Sequence, residues 1–193
     1  RLPTEAEWEK AARGGCEIGA NPVACDDPED ERSYPFGDQV QPGHANLWQS
    51  GDPYDSSVSP YDQYGGPSTP VGFFDGTTRS RLADGWIGGP DSYDTLDSRS
   101  PYGTFDQVGN VWEWVDDWYG VTYYRECDNA RCVDPSCDDG VCRDPTGPTA
   151  GDGRTARGGS FFNVPGSARL VNRITLDPTG RSNVVGFRCA RTP

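Results

Sequence analysis

The segment GNVWEWVDDWY, residues 109–119, places three tryptophans within seven residues. Aromatic side chains bury large areas, so we expect this segment to lie largely inside the fold. The region before it, residues 19–106, is dense in Gly, Pro, Asp, Ser and Tyr, and its apolar pieces are too short for helices and alternate poorly for a large sheet. Aromatic residues make up 11% of the chain, which favours an ordered, loop-rich region over a disordered one.

One segment strongly predicts a helix. In LPTEAEWEKAARGG, Thr4 can cap the first turn, Glu7 can complete a capping box, and Gly14 can end the helix. We therefore expect a helix from Thr4 to about Arg13. Near the other end of the chain, TARGGSFF and VVGFRCAR combine aromatic and β-branched residues, which predicts two strands that pair to complete the domain.

Length and charge limit the possible functions. The 193 residues predict a single domain over 1–193. The absence of methionine, and a helix signal directly after Arg1, lead us to expect the C-terminal part of a longer protein. The net charge of -13 repels phosphate backbones, so a nucleic-acid partner is not expected. No run approaches the roughly 18 apolar residues of a membrane span, so membrane insertion is not expected either.

Cysteine usage indicates the compartment. Four of the seven cysteines are evenly spaced in CDNARCVDPSCDDGVC, residues 127–142. Zinc sites usually show CxxC pairs and histidine support, whereas these gaps are four residues long and His44 is the only histidine. Disulfides are favoured over a metal site, which predicts an extracellular, cell-surface or periplasmic protein. Residues 126–153, rich in Cys, Pro and Asp, are predicted to form a surface insertion within the domain.

Four segments carry a family resemblance. In order, RLPTEAEWEKAARGG, GNVWEWVDDWY, RGGSFF and GFRCAR resemble the formylglycine-generating enzyme (sulfatase-modifying factor) family, a variant of the C-type lectin fold. The resemblance implies an α+β fold class: one compact, loop-rich domain with little regular secondary structure. It also implies that the N-terminal strands and first helix of that domain precede Arg1.

Calcium is the cofactor that the resemblance implies, as one or two ions. The first implied site uses the side chain of Asn46, the carbonyl of Leu47, the side chain of Asp62 and the carbonyl of Tyr64. The second uses the side chain of Asp106, the carbonyls of Gly109 and Val111, and the side chain of Glu113. Hard oxygen ligands of these kinds suit Ca²⁺. From the residues alone, Asp106 and Glu113 could instead cap turns or pair with arginines.

The positions of the family's catalytic cysteines are altered. In active members, two cysteines follow GGS, bind copper as thiolates and support oxidation of a substrate cysteine; the matching residues here are Asn163 and Ala168. Copper(I) selects soft thiolates, so we expect neither copper nor formylglycine-generating oxidase activity. Ser160 matches the family's active-site serine, but without a neighbouring base it is interpreted as a turn or strand residue.

A related branch, the sulfoxide synthases, holds iron with a histidine cluster. One histidine cannot form that site, so any iron ligands would lie outside this sequence. The resemblance also accounts for the unpaired cysteine, because the family bridges the cysteine of GFRC to one ahead of the first helix segment. Cys189 is thus expected to pair outside this sequence, and Cys16 with Cys25. The four cysteines of residues 127–142 leave three connectivities open.

The leading functional hypothesis is an extracellular binding module on a calcium-stabilised, disulfide-linked scaffold. Aromatic and arginine side chains are common anchors of binding surfaces, and the ligand would be a protein, a peptide or a glycan. The candidate ligand-binding residues are Trp112, Ser160, Phe162, Asn163, Val164, Arg169 and Arg173.

Three other hypotheses stay open. The first is an enzyme of the same family, or an accessory domain of an iron-dependent sulfoxide synthase, with catalytic ligands outside this sequence. The second is a structural subunit of an extracellular assembly that associates with copies of itself. The third is diversification by a retroelement, because residues 157–191 are similar to the variable segment of lectin-like proteins altered in that way. The exchangeable residues would be Phe162, Asn163, Val164, Ser167, Leu170, Ile174, Leu176 and Val184.

Overall fold

The N-terminal helix forms where the capping signals place it. The computed structural model describes residues 1–14, 32–54, 68–124 and 144–191. Helix α1 spans Glu5–Arg13, and Thr4 stays outside it because its extended backbone lets its hydroxyl accept a hydrogen bond from the Glu7 N–H. The Glu7 carboxylate accepts one from the Thr4 N–H in return. The predicted capping box is therefore confirmed.

A four-stranded sheet forms the centre of the described structure. Its strands are β3 (Trp112–Trp118), β4 (Arg154–Arg157), β5 (Arg173–Leu176) and β6 (Val185–Phe187), in the order β5-β4-β3-β6. The β4 strand is antiparallel to β3 and β5, and β6 is parallel to β3. The strands expected in TARGGSFF and VVGFRCAR both exist. The expectation that they pair was wrong, because the largely buried β3 lies between them and hydrogen-bonds to both.

A smaller hairpin occupies part of the loop-rich region. Strand β1 (Thr78–Ser80) leads into the short helix α2 (Arg81–Asp84), and β2 (Ser92–Asp94) returns antiparallel to β1. These short elements among turns agree with the α+β, loop-rich fold class that the sequence predicts.

Three clusters of buried side chains form the core. Trp8 and Ala12 of α1 pack with Val115 of β3 and with Leu170. A second cluster contains Tyr34, Ala45, Leu47, Val108 and Ala168. A third contains Phe73, Phe74 and Trp86. Of the tryptophans in residues 109–119, Trp112 is buried and the other two are half-buried. Helix α1 and the residues after β4 thus share one core.

The two ends of the described chain lie side by side. The Ala190 N–H donates to the Arg1 carbonyl at 2.9 Å, and the Arg1 amino group donates to the Ala190 carbonyl at 3.3 Å. The chain that follows β6, the edge strand of the sheet, therefore runs beside Arg1. Cys189 beside it is exposed.

Several sequence-based predictions fall outside the described residues. The other six cysteines, and so the Cys16–Cys25 pairing and the bridges of residues 127–142, lie there. Asp62, Tyr64 and residues 126–143 of the predicted insertion lie there too. In the described part of the chain, no helix has the length and apolar character needed to cross a membrane.

Candidate binding site

The loop between β4 and β5, residues 158–172, contains both positions of the family's copper ligands. It opens with Gly158 and Gly159, whose φ angles of +95° and +80° are in the region that favours glycine. The Oδ1 atom of Asn163 accepts hydrogen bonds from the Ser160 N–H at 2.9 Å and the Ser160 hydroxyl at 2.7 Å. The Asn163 N–H donates to the Ser160 carbonyl at 2.8 Å. Residues 160–163 therefore form a closed turn.

Other segments hold this 158–172 loop in place. The Phe161 N–H donates to the carbonyl of Asn110 at 3.0 Å, and the Leu170 N–H donates to that of Ser33 at 2.9 Å. The Tyr34 hydroxyl donates to the carbonyl of Pro165 at 2.9 Å. The loop is thus supported by residues distant in the sequence.

The outer face of the loop presents apolar side chains. Phe162 and Val164 are 44% and 52% exposed, and Trp48 beside them is 36% exposed. The Trp48 N–H donates to the Asn163 carbonyl at 3.0 Å, and the Trp48 and Phe162 ring centroids are 6.4 Å apart. We call Trp48, Phe162, Asn163 and Val164 the aromatic face. Clusters of exposed aromatic side chains are frequent anchors in binding surfaces.

Sequence reasoning missed Trp48. It directly follows two residues of the first implied calcium site, in ANLW, but nothing in that segment indicates its neighbour Phe162. The signal that was available is an aromatic residue in a short apolar piece of a polar region. The contact itself depends on the long-range hydrogen bond to Asn163.

The predicted ligand-binding residues do not form one group. Trp112 is 6% exposed and its N–H donates to the Val184 carbonyl, so it belongs to the sheet. Ser160 is buried within the turn. Arg169 is exposed at the far end of the loop. The Arg173 guanidinium instead contacts Glu5 of α1. The structure brings Phe162, Asn163 and Val164 together on the outer face of the loop, with Ser160 buried behind Asn163 in the same turn. The other three predicted residues, Trp112, Arg169 and Arg173, lie elsewhere.

The positions that would hold copper carry other contacts. The Asn163 oxygen is bound to Ser160, as described above. Ala168 is fully buried at the end of a 3-10 turn, Pro165–Ala168, and a Cβ added at Gly159 would lie 2.6 Å from the Ala168 methyl. Neither side chain is a thiolate, and thiolates are what copper(I) selects. Across residues 1–14, 32–54, 68–124 and 144–191, no three or more histidine, cysteine, aspartate and glutamate side chains come together in a group that could hold a metal ion.

The second implied calcium site has suitable oxygens with other partners. An Asp106 carboxylate oxygen accepts from the Gly72 N–H at 2.7 Å. Burial raises the pKa of Asp106, although this hydrogen bond and Arg188 oppose the rise. Glu113 accepts two hydrogen bonds from the Arg188 guanidinium, both at 2.6 Å, and one from Trp8 Nε1. Asp106 therefore fits a divalent cation as a half-buried, incompletely neutralised carboxylate, whereas Glu113 would have to share its oxygens with Arg188.

The first implied site is described only in part. Asn46 is fully buried, and its carbonyl accepts from the Asn110 N–H at 2.8 Å. The Leu47 carbonyl accepts from the Ser50 N–H and the Ser50 hydroxyl. A Cβ added at Gly109 would lie 2.2 Å from the Asn46 carbonyl oxygen. The backbones of the two implied calcium segments are thus in direct contact.

Carboxylates and arginines form a buried network on the α1 side of the loop. The Asp117 carboxylate is fully buried and accepts from the Glu5 N–H at 2.6 Å, at the start of α1. Burial raises the pKa of Asp117 to about 7, with Glu5 and Asp116 adding to the rise and Arg173 opposing it. Burial likewise raises the pKa of Tyr124, and Arg173 lies over its ring at 5.1 Å. Because Arg157 of β4 and Arg173 of β5 both donate to the Glu5 carboxylate, this network joins α1, β3, β4 and β5.

Comparison with known proteins identifies the family to which the chain belongs. The fold is the α+β fold of formylglycine-generating-enzyme type. The whole chain, residues 1–193, matches the family described as "Sulfatase-modifying factor enzyme 1-like domain". The protein therefore belongs to the sulfatase-modifying factor family, as its sequence resemblance predicts.

Two curated relatives at 31% identity support the family assignment. The chain is 31% identical to the formylglycine-generating enzyme of Streptomyces coelicolor over 98% of this chain and 46% of that protein. It is 31% identical to the inactive C-alpha-formylglycine-generating enzyme 2 of Bos taurus, over 98% and 43%. Among solved structures, PvdO from Pseudomonas aeruginosa aligns with a TM-score of 0.49 and 22% identity, over 97% of this chain and 50% of that one. The chain spans about half the length of the curated relatives that it matches.

Proposed function

We propose that this domain recognises a ligand and does not carry out copper-dependent oxidation of cysteine. The main support for this proposal is the closed turn in which the Asn163 oxygen accepts hydrogen bonds from the Ser160 N–H and the Ser160 hydroxyl. An oxygen committed in this way, together with the methyl group of Ala168, offers no soft ligand for copper(I). The family contains a precedent in the relative from Bos taurus whose name calls it inactive.

The aromatic face is the proposed recognition surface. Trp48, Phe162 and Val164 expose apolar area on a loop fixed by hydrogen bonds to other segments. The Asn163 oxygen faces Ser160, which directs its amide NH₂ group away from the turn as a donor. Rigid aromatic side chains beside a hydrogen-bond donor are typical anchors for a protein, peptide or glycan ligand.

The proposal includes calcium ions and disulfides that would stabilise the domain. One or two calcium ions would be held by Asn46, Leu47, Asp62 and Tyr64 and by Asp106, Gly109, Val111 and Glu113, and would join loop segments through oxygen ligands. Disulfides would reinforce an extracellular, cell-surface or periplasmic domain. An acidic chain of this kind disfavours nucleic-acid partners.

Copper binding and product formation test the loss of oxidation. The protein is incubated with copper(I) and a sulfatase-type cysteine peptide, and mass spectrometry follows the loss of the thiol and formation of an aldehyde. The Streptomyces coelicolor enzyme serves as the positive control. We expect no aldehyde and no stoichiometric copper(I) on this chain, and aldehyde formation above the copper-only background would refute the proposal.

Recognition is tested with a surface variant and a matched control. We expect partners selected from displayed peptide and glycan libraries to bind the parent protein and to lose at least tenfold in affinity for W48S/F162S. The control is Leu82→Ser, which removes a side chain that is 96% exposed on α2. Equal binding by the double variant and its parent would place recognition elsewhere.

A second candidate function is favoured by the relatives at about 30% identity that are formylglycine-generating enzymes. This second function is that of an enzyme of the family, in which the residues that bind the catalytic metal lie outside this sequence. A transition metal bound by a longer form of the protein, but not by this chain, would favour that function.

A further inference from the structure

We propose that Glu5 is a positioning residue for the 158–172 loop. The loop begins after Arg157, the last residue of β4, and ends before Arg173, the first residue of β5. These two arginines are direct cross-strand partners. The base of the proposed recognition loop is therefore a pair of like charges facing each other.

One carboxylate joins both arginines. Oε1 of Glu5 accepts from Arg157 Nη1 at 3.0 Å and from Arg173 Nε at 2.7 Å. Oε2 of Glu5 accepts from Arg173 Nη2 at 2.5 Å. The exposed fractions of the three side chains are 1% for Glu5, 2% for Arg157 and 16% for Arg173. The bridge is thus shielded from water.

Physical chemistry gives this bridge a specific effect. Like charges directly opposite on neighbouring strands destabilise their pairing, and a buried charge is costly unless it is paired. The Glu5 carboxylate reduces both costs, because it lies between the two arginines at the ends of the loop and is the charge partner of each. Without the negative charge, the ends of β4 and β5 would repel each other where the loop begins.

Each arginine also holds neighbouring backbone. Nη2 of Arg157 donates to the carbonyl of Leu170, within the loop, at 2.5 Å. Nη1 of Arg173 donates to the carbonyl of Gly120, just beyond β3, at 2.7 Å. A displacement of the Arg157 guanidinium would therefore disturb the loop backbone at Leu170, and a displacement of the Arg173 guanidinium would disturb the segment that follows β3.

Glu9 provides a matched comparison on the same helix. It also accepts from Arg157 Nη2, at 2.5 Å, and it binds Arg13 as well. Among the described residues, Glu9 forms ion pairs with Arg157 and Arg13, so it contacts only the β4 end of the loop. Replacing Glu9 removes a carboxylate from the same cluster but leaves the two arginines joined by Glu5.

Native-state hydrogen exchange of Glu5→Gln and Glu9→Gln tests the proposal. The reporters are the backbone N–H groups of Phe161, Asn163, Ser167, Leu170 and Asn172, all hydrogen-bonded in the structure. The reference amides are those of the β3–β4 pairing. Relative to these, we expect the loop amides to exchange at least tenfold faster in E5Q and within twofold of the parent in E9Q.

Other outcomes would overturn the positioning role. These are an equal acceleration of loop and sheet amides in E5Q, unchanged loop exchange, or the same acceleration in E9Q. If E5Q does not fold, Arg173→Gln takes its place, and faster exchange must again be confined to the loop. The role in recognition rests on the proposed function, but exchange is measured without ligand or copper, so the two proposals can fail separately.

Discussion

Asn163 binds Ser160 twice through one atom, because its Oδ1 accepts from both the Ser160 N–H and the Ser160 hydroxyl. Ser160 is almost fully buried, so the loss of this acceptor would leave its N–H without a protein partner in the turn. We expect Asn163→Ala to destabilise the protein by about 1–3 kcal/mol, the usual cost of an unsatisfied buried polar group.

Asn163→Asp is the matched variant, because it retains an oxygen in the Oδ1 position. Its unfolding free energy is expected to lie closer to the parent value than that of N163A. Urea unfolding measures the free energy of unfolding of both variants, analysed with the same slope of free energy against urea concentration. Equal stability of N163A and the parent would show that the turn does not depend on this oxygen.

The close contact between Gly159 and Ala168 gives a second prediction. Gly159 has φ of +80°, and an added Cβ would lie 2.6 Å from the Ala168 methyl. Gly159→Ala is therefore expected to cost more than about 2 kcal/mol, through both backbone strain and overpacking. Gly166→Ala is the control in the same loop, since no atom lies within 4 Å of its added Cβ. Thermal unfolding of both proteins checks the difference, and similar losses would contradict the contact.

Asp117 predicts a pH-dependent stability. Its pKa is raised to about 7, above the value near 3.9 of an unfolded chain, so the folded protein holds this proton more tightly. The stability that this group contributes is complete below about pH 4 and is lost as the pH rises through 7. Asp117→Asn carries no titratable group here and keeps an oxygen for the Glu5 N–H.

Unfolding free energies between pH 4.5 and 7.5 measure this effect. Relative to D117N, the parent protein is expected to lose stability with rising pH, by at most about 1.4 kcal/mol per pH unit. Asp152→Asn, at an exposed position, controls for the loss of one negative charge and should follow the parent. A constant difference between D117N and the parent would show that Asp117 titrates normally.

Calcium should stabilise the domain if the implied sites bind it. A ligand present at one hundred times its dissociation constant stabilises the folded state by about 2.7 kcal/mol. We expect the midpoint of thermal unfolding to rise with calcium and to return to its starting value with a chelator. Asp106→Asn should reduce the increase, because Asp106 is a half-buried carboxylate of the second implied site. An unfolding midpoint that does not respond to calcium would remove the ion from the proposal.

Local signals were sufficient for α1 and for the existence of β4 and β6. The Thr4–Glu7 capping box acts within one helical turn, and the strand signals are short runs of β-branched and aromatic residues. The order of strands was not predictable in this way, because β3 pairs with β6 across more than sixty intervening residues. Long-range pairing depends on which faces become buried, and a single sequence does not display that.

In the candidate site, too, contacts between residues distant in sequence could not be predicted. Phe162, Asn163 and Val164 are adjacent in the chain, so one turn is enough to keep them together. The sequence predicts Arg173 as an anchor because arginine is common in binding surfaces, but the buried Glu5 carboxylate holds its side chain. Trp48 joins Phe162 only through folding of a distant loop. The calcium, disulfide and single-domain expectations remain predictions.

The backbone contact between Arg1 and Ala190 brings two segments that are distant in sequence to the same edge of the sheet, beside β6. Arg1 and Arg191 are both exposed, so a pair of dyes attached at these two positions would start close together. Energy transfer between the dyes would therefore report whether this edge of the sheet opens before the rest of the structure unfolds.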